Sequence, residues 1–267
     1  MANGAKLFLA GIITFVSFII AIVSFAGSTS NYKPINEIYV AHLNLKNIKN
    51  DAVFTNLTQA LDSNSLPNYI NIGLWSYCIS GTNSDKIEKC TSPKGIQEFD
   101  LKTLLYDNVA NNESEDLLDS IDDILLPDSI ANKKGYYNGL SRCMWITLII
   151  GIIVLFLDLI FIILRMLFAL RALKIIGLFL ACVAFASLII SGSTSVATYV
   201  YIKVHLNKNY DEYGIKLDLG RNFFCILWGS ILGSLLNLLL WVSVRDDVRR
   251  TYVTQAGPSQ SGKRIIL

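Results

Sequence analysis

The chain has 267 residues, of which 52% are hydrophobic and only 16% charged. Soluble domains carry about 25% charged residues, so a chain this poor in charge must segregate its apolar residues. Its net charge of +2 leaves no nucleic-acid footprint, and a soluble enzyme, a nucleic-acid-binding domain and a disordered tail protein are all excluded.

A membrane span needs roughly 20 apolar residues to cross about 30 Å of hydrocarbon. Residues 1–6 form a short tail carrying Lys6, and the first such stretch follows at 7–27 without a charge. A cleaved signal peptide is its rival reading, since Ser24-Phe25-Ala26 is small-x-small. Signal cores run about 7–15 residues, however, and this one is longer.

Residues 28–142 are polar, with ten Lys/Arg against fifteen Asp/Glu. Patterning predicts strands over 35–43, 69–80 and 87–92. Ile48, Ala52, Leu57, Ala60 and Leu61 fit a short helix. Leu117, Leu118, Ile121, Ile124 and Leu125 recur at helical spacing, with Glu113, Glu115, Asp116, Asp119, Asp122 and Asp123 on the other face and Pro127 as the stop. That acidic face reads as the solvated side of an amphipathic helix; a cation-binding surface is the alternative, although no calcium-loop spacing occurs.

Cys78 and Cys90 are the only cysteines of this segment. A strand–turn–strand returning over Gly81-Thr-Asn-Ser-Asp85 would set them side by side, which predicts a disulfide in an oxidising space. A metal site would need more ligands, and the two histidines, His42 and His205, are isolated in sequence. Two glycosylation sequons lie in the same segment, at Asn56 and Asn112.

The second span, 143–164, contains one charge, Asp158. It lies two helical turns before Arg165 on the same face, about 10 Å along the axis at 1.5 Å per residue. An intramembrane acid is a functional candidate by default. The structural reading pairs it with Arg165 or another base of the 165–174 turn, pinning spans two and three; the functional reading makes it part of a proton or ion relay. The third span, 175–201, is long enough to predict tilt or a projecting stub. It is rich in small residues: Gly177, Ala181, Ala184, Ser187, Ser191, Gly192 and Ser195. The fourth, 223–244, carries Gly229-x-x-x-Gly233, continued by Asn237 and preceded by Cys225, read as one face. Small residues and an amide suit close helix packing, within the bundle or between protomers.

Orientation follows from Lys and Arg in the short segments. Residues 1–6, 165–174 and 245–267 together carry nine, against four in 202–222 that are offset by three acids. Both termini and the 165–174 turn are therefore expected in the cytoplasm, and 28–142 and 202–222 outside. No Gly-x-Ser-x-Gly, Walker loop or His-Glu-x-x-His occurs. No catalytic residue, cofactor or metal ligand is expected.

Gly73-Leu74-Trp75-Ser76-Tyr77-Cys78, followed by Cys90, resembles the Gly-Leu-Trp-x-x-Cys…Cys signature of claudin-like tetraspan proteins. The tryptophan that claudins carry earlier in this loop is absent; Tyr32 and Tyr39 lie in its region. Across essentially the whole chain the sequence is similar to the fungal SUR7/PalI family. Gly27-Ser-Thr-Ser-Asn-Tyr-Lys-Pro-Ile-Asn36, leaving the first span, looks like that family's Gly-x-Thr-x-x-Tyr-x-x-Asn stretch. Tyr69–Cys78, Ser92-Pro-Lys-Gly-Ile-Gln97 and Asn237 near Trp241 look most like its short-tailed member linked to nitrogen stress.

The resemblance implies a four-transmembrane-helix, claudin-like bundle. A small extracellular antiparallel sheet and short helices occupy the first outer loop. It also implies residence in static, eisosome-associated plasma-membrane patches, with roles in cell-wall integrity and nitrogen stress. Membrane lipids, other plasma-membrane tetraspans or further copies of the chain, and cell-wall components are the implied partners. A claudin-like ion channel or transport regulator is the second class of reading, and a sensor signalling through the tail is the third.

Overall fold

The computed structural model describes residues 2–46, 67–81, 86–91, 134–168, 170–210 and 216–244. The helices expected near 48–61 and 117–125, the sequons at Asn56 and Asn112, and the 245–267 tail lie outside the described residues.

Among the described residues, four helices are long and apolar enough to cross a membrane. They are α1 (Ala2–Phe25), α2 (Lys134–Leu167), α3 (Arg171–Tyr210) and α4 (Arg221–Ser243). In the bundle α1 packs on α2 and α4, and α3 packs on α2 and α4. Every helix also exposes large apolar side chains, among them Phe15, Ile153, Phe179 and Leu236. An apolar exterior of this kind is stable only in lipid.

Lipid tails supply no hydrophobic drive between helices, so packing and hydrogen bonds must hold the bundle. Small hydroxyl side chains do this across neighbours. Ser230 Oγ of α4 donates to the Ser17 carbonyl of α1 (3.0 Å), and Ser191 Oγ of α3 donates to the Met144 carbonyl of α2 (3.0 Å). At the end away from the sheet, Lys6 Nζ donates to the Ser243 carbonyl (3.0 Å), a cation placed at the negative end of the α4 dipole.

A five-stranded antiparallel sheet stands on one end of the bundle. Its strands are β1 (Ala41–Asn44), β2 (Tyr69–Ile72), β3 (Tyr77–Ser80), β4 (Ile87–Cys90) and β5 (Lys216–Leu219), in the spatial order β4-β3-β2-β1-β5. The first four lie between α1 and α2. The fifth comes from the α3–α4 connection, inside the expected 202–222 loop. Its Leu217 and Leu219 alternate with Lys216 and Asp218, a short period-two signal.

The pleat sorts the two faces. Ala41, Leu43, Ile70, Ile72, Tyr77 and Leu217 point at the bundle and share one buried cluster with Met144, Leu148, Tyr199, Phe223 and Leu227. The opposite row runs Asp218, His42, Asn71, Cys78, Cys90 across all five strands.

Two predicted strands are corrected. Over 35–43 the chain is extended only from its far end. Residues Ile35–Glu37 form a 3-10 turn after Pro34, and Ser28 N–H closes the loop onto the Ile35 carbonyl (2.9 Å). Proline fixes φ and has no N–H to give a ladder, so the β-branched composition there is overridden. The 69–80 segment is two strands, because Gly73 N–H bonds the Ser76 carbonyl (2.9 Å) and turns the chain at Leu74-Trp75.

The α3 helix exceeds its expected span at both ends. Its 40 residues make a rod of about 60 Å, twice the hydrocarbon thickness. The projecting end has a use. Asn207 Nδ2 donates to the Leu217 carbonyl (3.2 Å) and its Oδ1 accepts from Leu217 N–H (2.8 Å), so a side chain takes the place of a sixth strand along β5.

Candidate functional site

Two constellations hold the residues singled out by sequence. The first joins the sheet to the bundle. The Gly73–Ser76 turn sits against the exit of α1, where a Cβ on Gly73 would lie 2.7 Å from Ser28 Cβ and 2.8 Å from the Gly27 carbonyl oxygen. Only glycine lets the two backbones approach so closely. Ser28 itself has a left-handed φ of 58°, and its carbonyl accepts the Ser76 hydroxyl. Its own Oγ donates to the Ile38 carbonyl (3.0 Å).

Leu74 enters the sheet–bundle cluster. Trp75, at the tip, packs edge-on against Phe25 of α1 (ring centroids 4.4 Å apart) and Trp145 of α2 (5.9 Å). One indole thus touches two helices at the level where the bundle meets the sheet.

Cys78 and Cys90 form the disulfide, opposite one another in the β3–β4 register with Cα atoms 4.0 Å apart. Cys78 Sγ also lies 3.2 Å from the Ser28 carbonyl oxygen. A disulfide sulfur has no proton, so this is packing rather than a hydrogen bond. Cys143, Cys182 and Cys225 are free.

The second constellation is in the membrane-spanning part. Asp158 of α2 is fully buried. Asn237 Nδ2 donates to its Oδ2 (2.6 Å), and Trp241 Nε1 donates to its Oδ1 (3.1 Å), both from α4. The Trp241 ring lies on Gly177 of α3, where a Cβ would be only 2.3 Å from it. One carboxyl group therefore gathers α2, α3 and α4 at one level.

This corrects the expected Asp158–Arg165 pair. Arg165 Nη1 donates to the Leu170 carbonyl in the α2–α3 turn. A long cation near a helix end extends to the polar boundary rather than into the core. Trp241 was not recognised as a partner for Asp158. The available signal was depth: Asn237 lies seven residues before the end of its span at Val244, close to the six that separate Asp158 from the end of its own at Leu164, and Trp241 follows one turn further on.

The fourth-span motif also differs from expectation. Cys225 and Gly229 are exposed, Gly233 is half-buried and Asn237 is buried. A Cβ on Gly229 would touch nothing, whereas one on Gly233 would strike Ser17. Steps of four residues in a 3.6-residue helix rotate by about 40° each. Three such steps carry the line from the exterior to the core, so these residues do not share one face.

Among the described residues no group of three or more His, Cys, Asp or Glu side chains is placed to hold a metal. His42 Nδ1 pairs with Asn71 Oδ1 (2.6 Å), and the His205 ring stacks on Tyr201 (3.8 Å between centroids).

A four-span bundle carrying an antiparallel sheet stapled by the Gly-Leu-Trp–Cys–Cys element defines a claudin-like membrane protein. The chain belongs to the SUR7/PalI family, whose profile matches residues 7–240. It is 47% identical to Protein PUN1 of Saccharomyces cerevisiae over 247 residues, covering 92% of this chain and 94% of that protein. It is also 26% identical to the SUR7 family protein pun1 of Schizosaccharomyces pombe, over 67% of this chain and 60% of that one.

Proposed function

We propose that this is a non-enzymatic plasma-membrane tetraspan that organises eisosome-type membrane domains, with its sheet-bearing end outside the cell and both termini in the cytoplasm. Roles in cell-wall integrity and in the nitrogen-stress and filamentous-growth response belong to the same reading. It acts through lateral association with lipids, with other tetraspans or with its own copies.

The observation that carries it is the welding of the sheet to the bundle. Gly73, Trp75 and the Cys78–Cys90 bridge fix the α1–α2 connection to the bundle, and β5 pairing with β1 brings the α3–α4 connection into the same sheet. The buried carboxylate of Asp158 is engaged by Asn237 and Trp241, which is the arrangement of a helix tie rather than a proton carrier. A sheet surface held on a bundle tied by inter-helix hydrogen bonds suits display and assembly. Family membership and similarity over nearly the full length of PUN1 support the same reading.

The test is fluorescence imaging of the tagged chain in living fungal cells. Static cortical patches are expected, and the folded protein spread evenly over the cell surface would overturn the proposal.

A further inference from the structure

A pocket of about 490 Å³ opens on the face of the sheet that points away from the bundle. Its volume is within the range of small-molecule sites, roughly 300–1,000 Å³. The segment leaving α1 arches over one side of it, through Asn36 and Tyr39, and the sheet supplies His42, Tyr69 and Asn71.

Aromatic rings form a continuous run here. Tyr39 and His42 have centroids 5.5 Å apart, and His42 stacks on Tyr69 at 4.8 Å. The polar groups are fixed by one another. Asn71 Nδ2 donates to the Asn36 carbonyl (3.2 Å), which leaves Asn71 Oδ1 as the acceptor facing His42. His42 Nδ1 is then the donor of that pair, and in a neutral ring Nε2 is an acceptor.

Asn36 is 7% exposed; its Nδ2 donates to the Asn31 carbonyl (3.1 Å), but its Oδ1 has no partner. A buried acceptor left in this state calls for a donor. Burial, with the carboxylates of Asp218 and Glu37 nearby, holds the Tyr39 phenol above its ordinary value, so it remains a donor at neutral pH. Lys33 is engaged by Glu37 (2.8 Å), which balances that pair, and Lys86 is a further cation of the lining.

These features select a ligand chemistry. A phosphate is anionic, chiefly an acceptor, and has no apolar face to lay on the rings. A sugar ring offers hydroxyls that both donate and accept, and an apolar C–H face that stacks on aromatic rings. We propose that this pocket binds an uncharged oligosaccharide, with Tyr39, His42 and Tyr69 as the stacking wall and Asn36, Asn71 and the His42 ring as hydrogen-bonding groups. The proposal rests on the reading that the sheet-bearing end faces outward, where such polymers are found.

The experiment uses the full-length protein in lipid nanodiscs, titrated calorimetrically with laminarihexaose, chitohexaose and inorganic phosphate. Wild type is expected to bind at least one of the two neutral hexasaccharides and not phosphate. Tyr69→Ala is expected to weaken that binding about tenfold through loss of a stacking face. His42→Ala, which keeps both tyrosines, should weaken it as well. An intact Cys78–Cys90 bridge and a monodisperse profile establish that each variant is folded. Absence of hexasaccharide binding by wild type, phosphate binding in its place, or undiminished affinity in both folded variants overturns the proposal. Normal cortical patches without saccharide binding would remove this pocket alone; saccharide binding without patches would remove the organising role alone.

Discussion

Asp158 is the sole acid of the four spans, and its environment decides what it can do. Both carboxyl oxygens accept hydrogen bonds from α4. Asp158→Leu would strand the Asn237 amide and the Trp241 indole N–H in the bundle. An unpaired buried polar group costs about 1–3 kcal/mol, so a lower thermal midpoint in detergent is expected. Asp158→Asn keeps the shape and should be milder. Its ion flux in reconstituted vesicles should match wild type; altered flux in that folded variant would restore the channel reading. Gly73 is constrained differently. An added methyl would meet backbone oxygens of Gly27 and Ser76, which cannot swing aside as a flexible side chain can. Gly73→Ala should therefore destabilise by about 1–3 kcal/mol as an overpacked site, read out as retention in the secretory pathway.

At the scale of elements, the β3–β4 hairpin is short and at the sheet edge, and the Cys78–Cys90 bridge spans a separation of only 12 residues. In the chain-entropy account, closing so short a loop still stabilises by about 3 kcal/mol. Cys78→Ser with Cys90→Ser should raise amide exchange first in β3 and β4 and leave the helices protected. The other edge depends on α3. Asn207→Ala would unpair both the N–H and the carbonyl of Leu217, and faster exchange confined to β5 is the expected result. Slower or unchanged exchange there would show that the β1 ladder alone holds the strand. The two edges are thus closed by unlike devices, one covalent and one a helix end.

The whole molecule is held by two kinds of force. The sheet face is buried by the hydrophobic effect, each fully buried Leu or Ile contributing roughly 1.5–3 kcal/mol. Deeper in the bundle that drive is absent, and close contacts at Gly177 and Gly233 with the Ser230, Ser191 and Asp158 hydrogen bonds take over. Because β5 joins β1, the α1–α2 and α3–α4 connections must lie on one side of the membrane. An impermeant thiol reagent should therefore label Asn31→Cys and Lys216→Cys from the same side of intact spheroplasts, and Lys174→Cys only after permeabilisation. Labelling of Lys174→Cys alone in intact cells would invert the proposed orientation.

Local patterns were sufficient for what depends on neighbours in the chain. Four apolar runs, the cysteine spacing across a turn and the Gly-Leu-Trp tripeptide are all short-range signals, and the helices and the disulfide follow from them. Pro34 and Gly73 carried the breaks in the predicted strands, but β-branched composition masked them. Hydrophobic length and cysteine reach are properties of the chain alone, and they define a charge-poor chain of four spans with one stapled polar segment. That Asp158 belongs to Asn237 and Trp241, that Gly229 faces outward while Gly233 packs, and that a strand from the second connection completes the sheet emerge only once the chain is folded. Those outcomes depend on helix rotation and on meetings between segments from 79 to 213 residues apart, which no window along the chain contains.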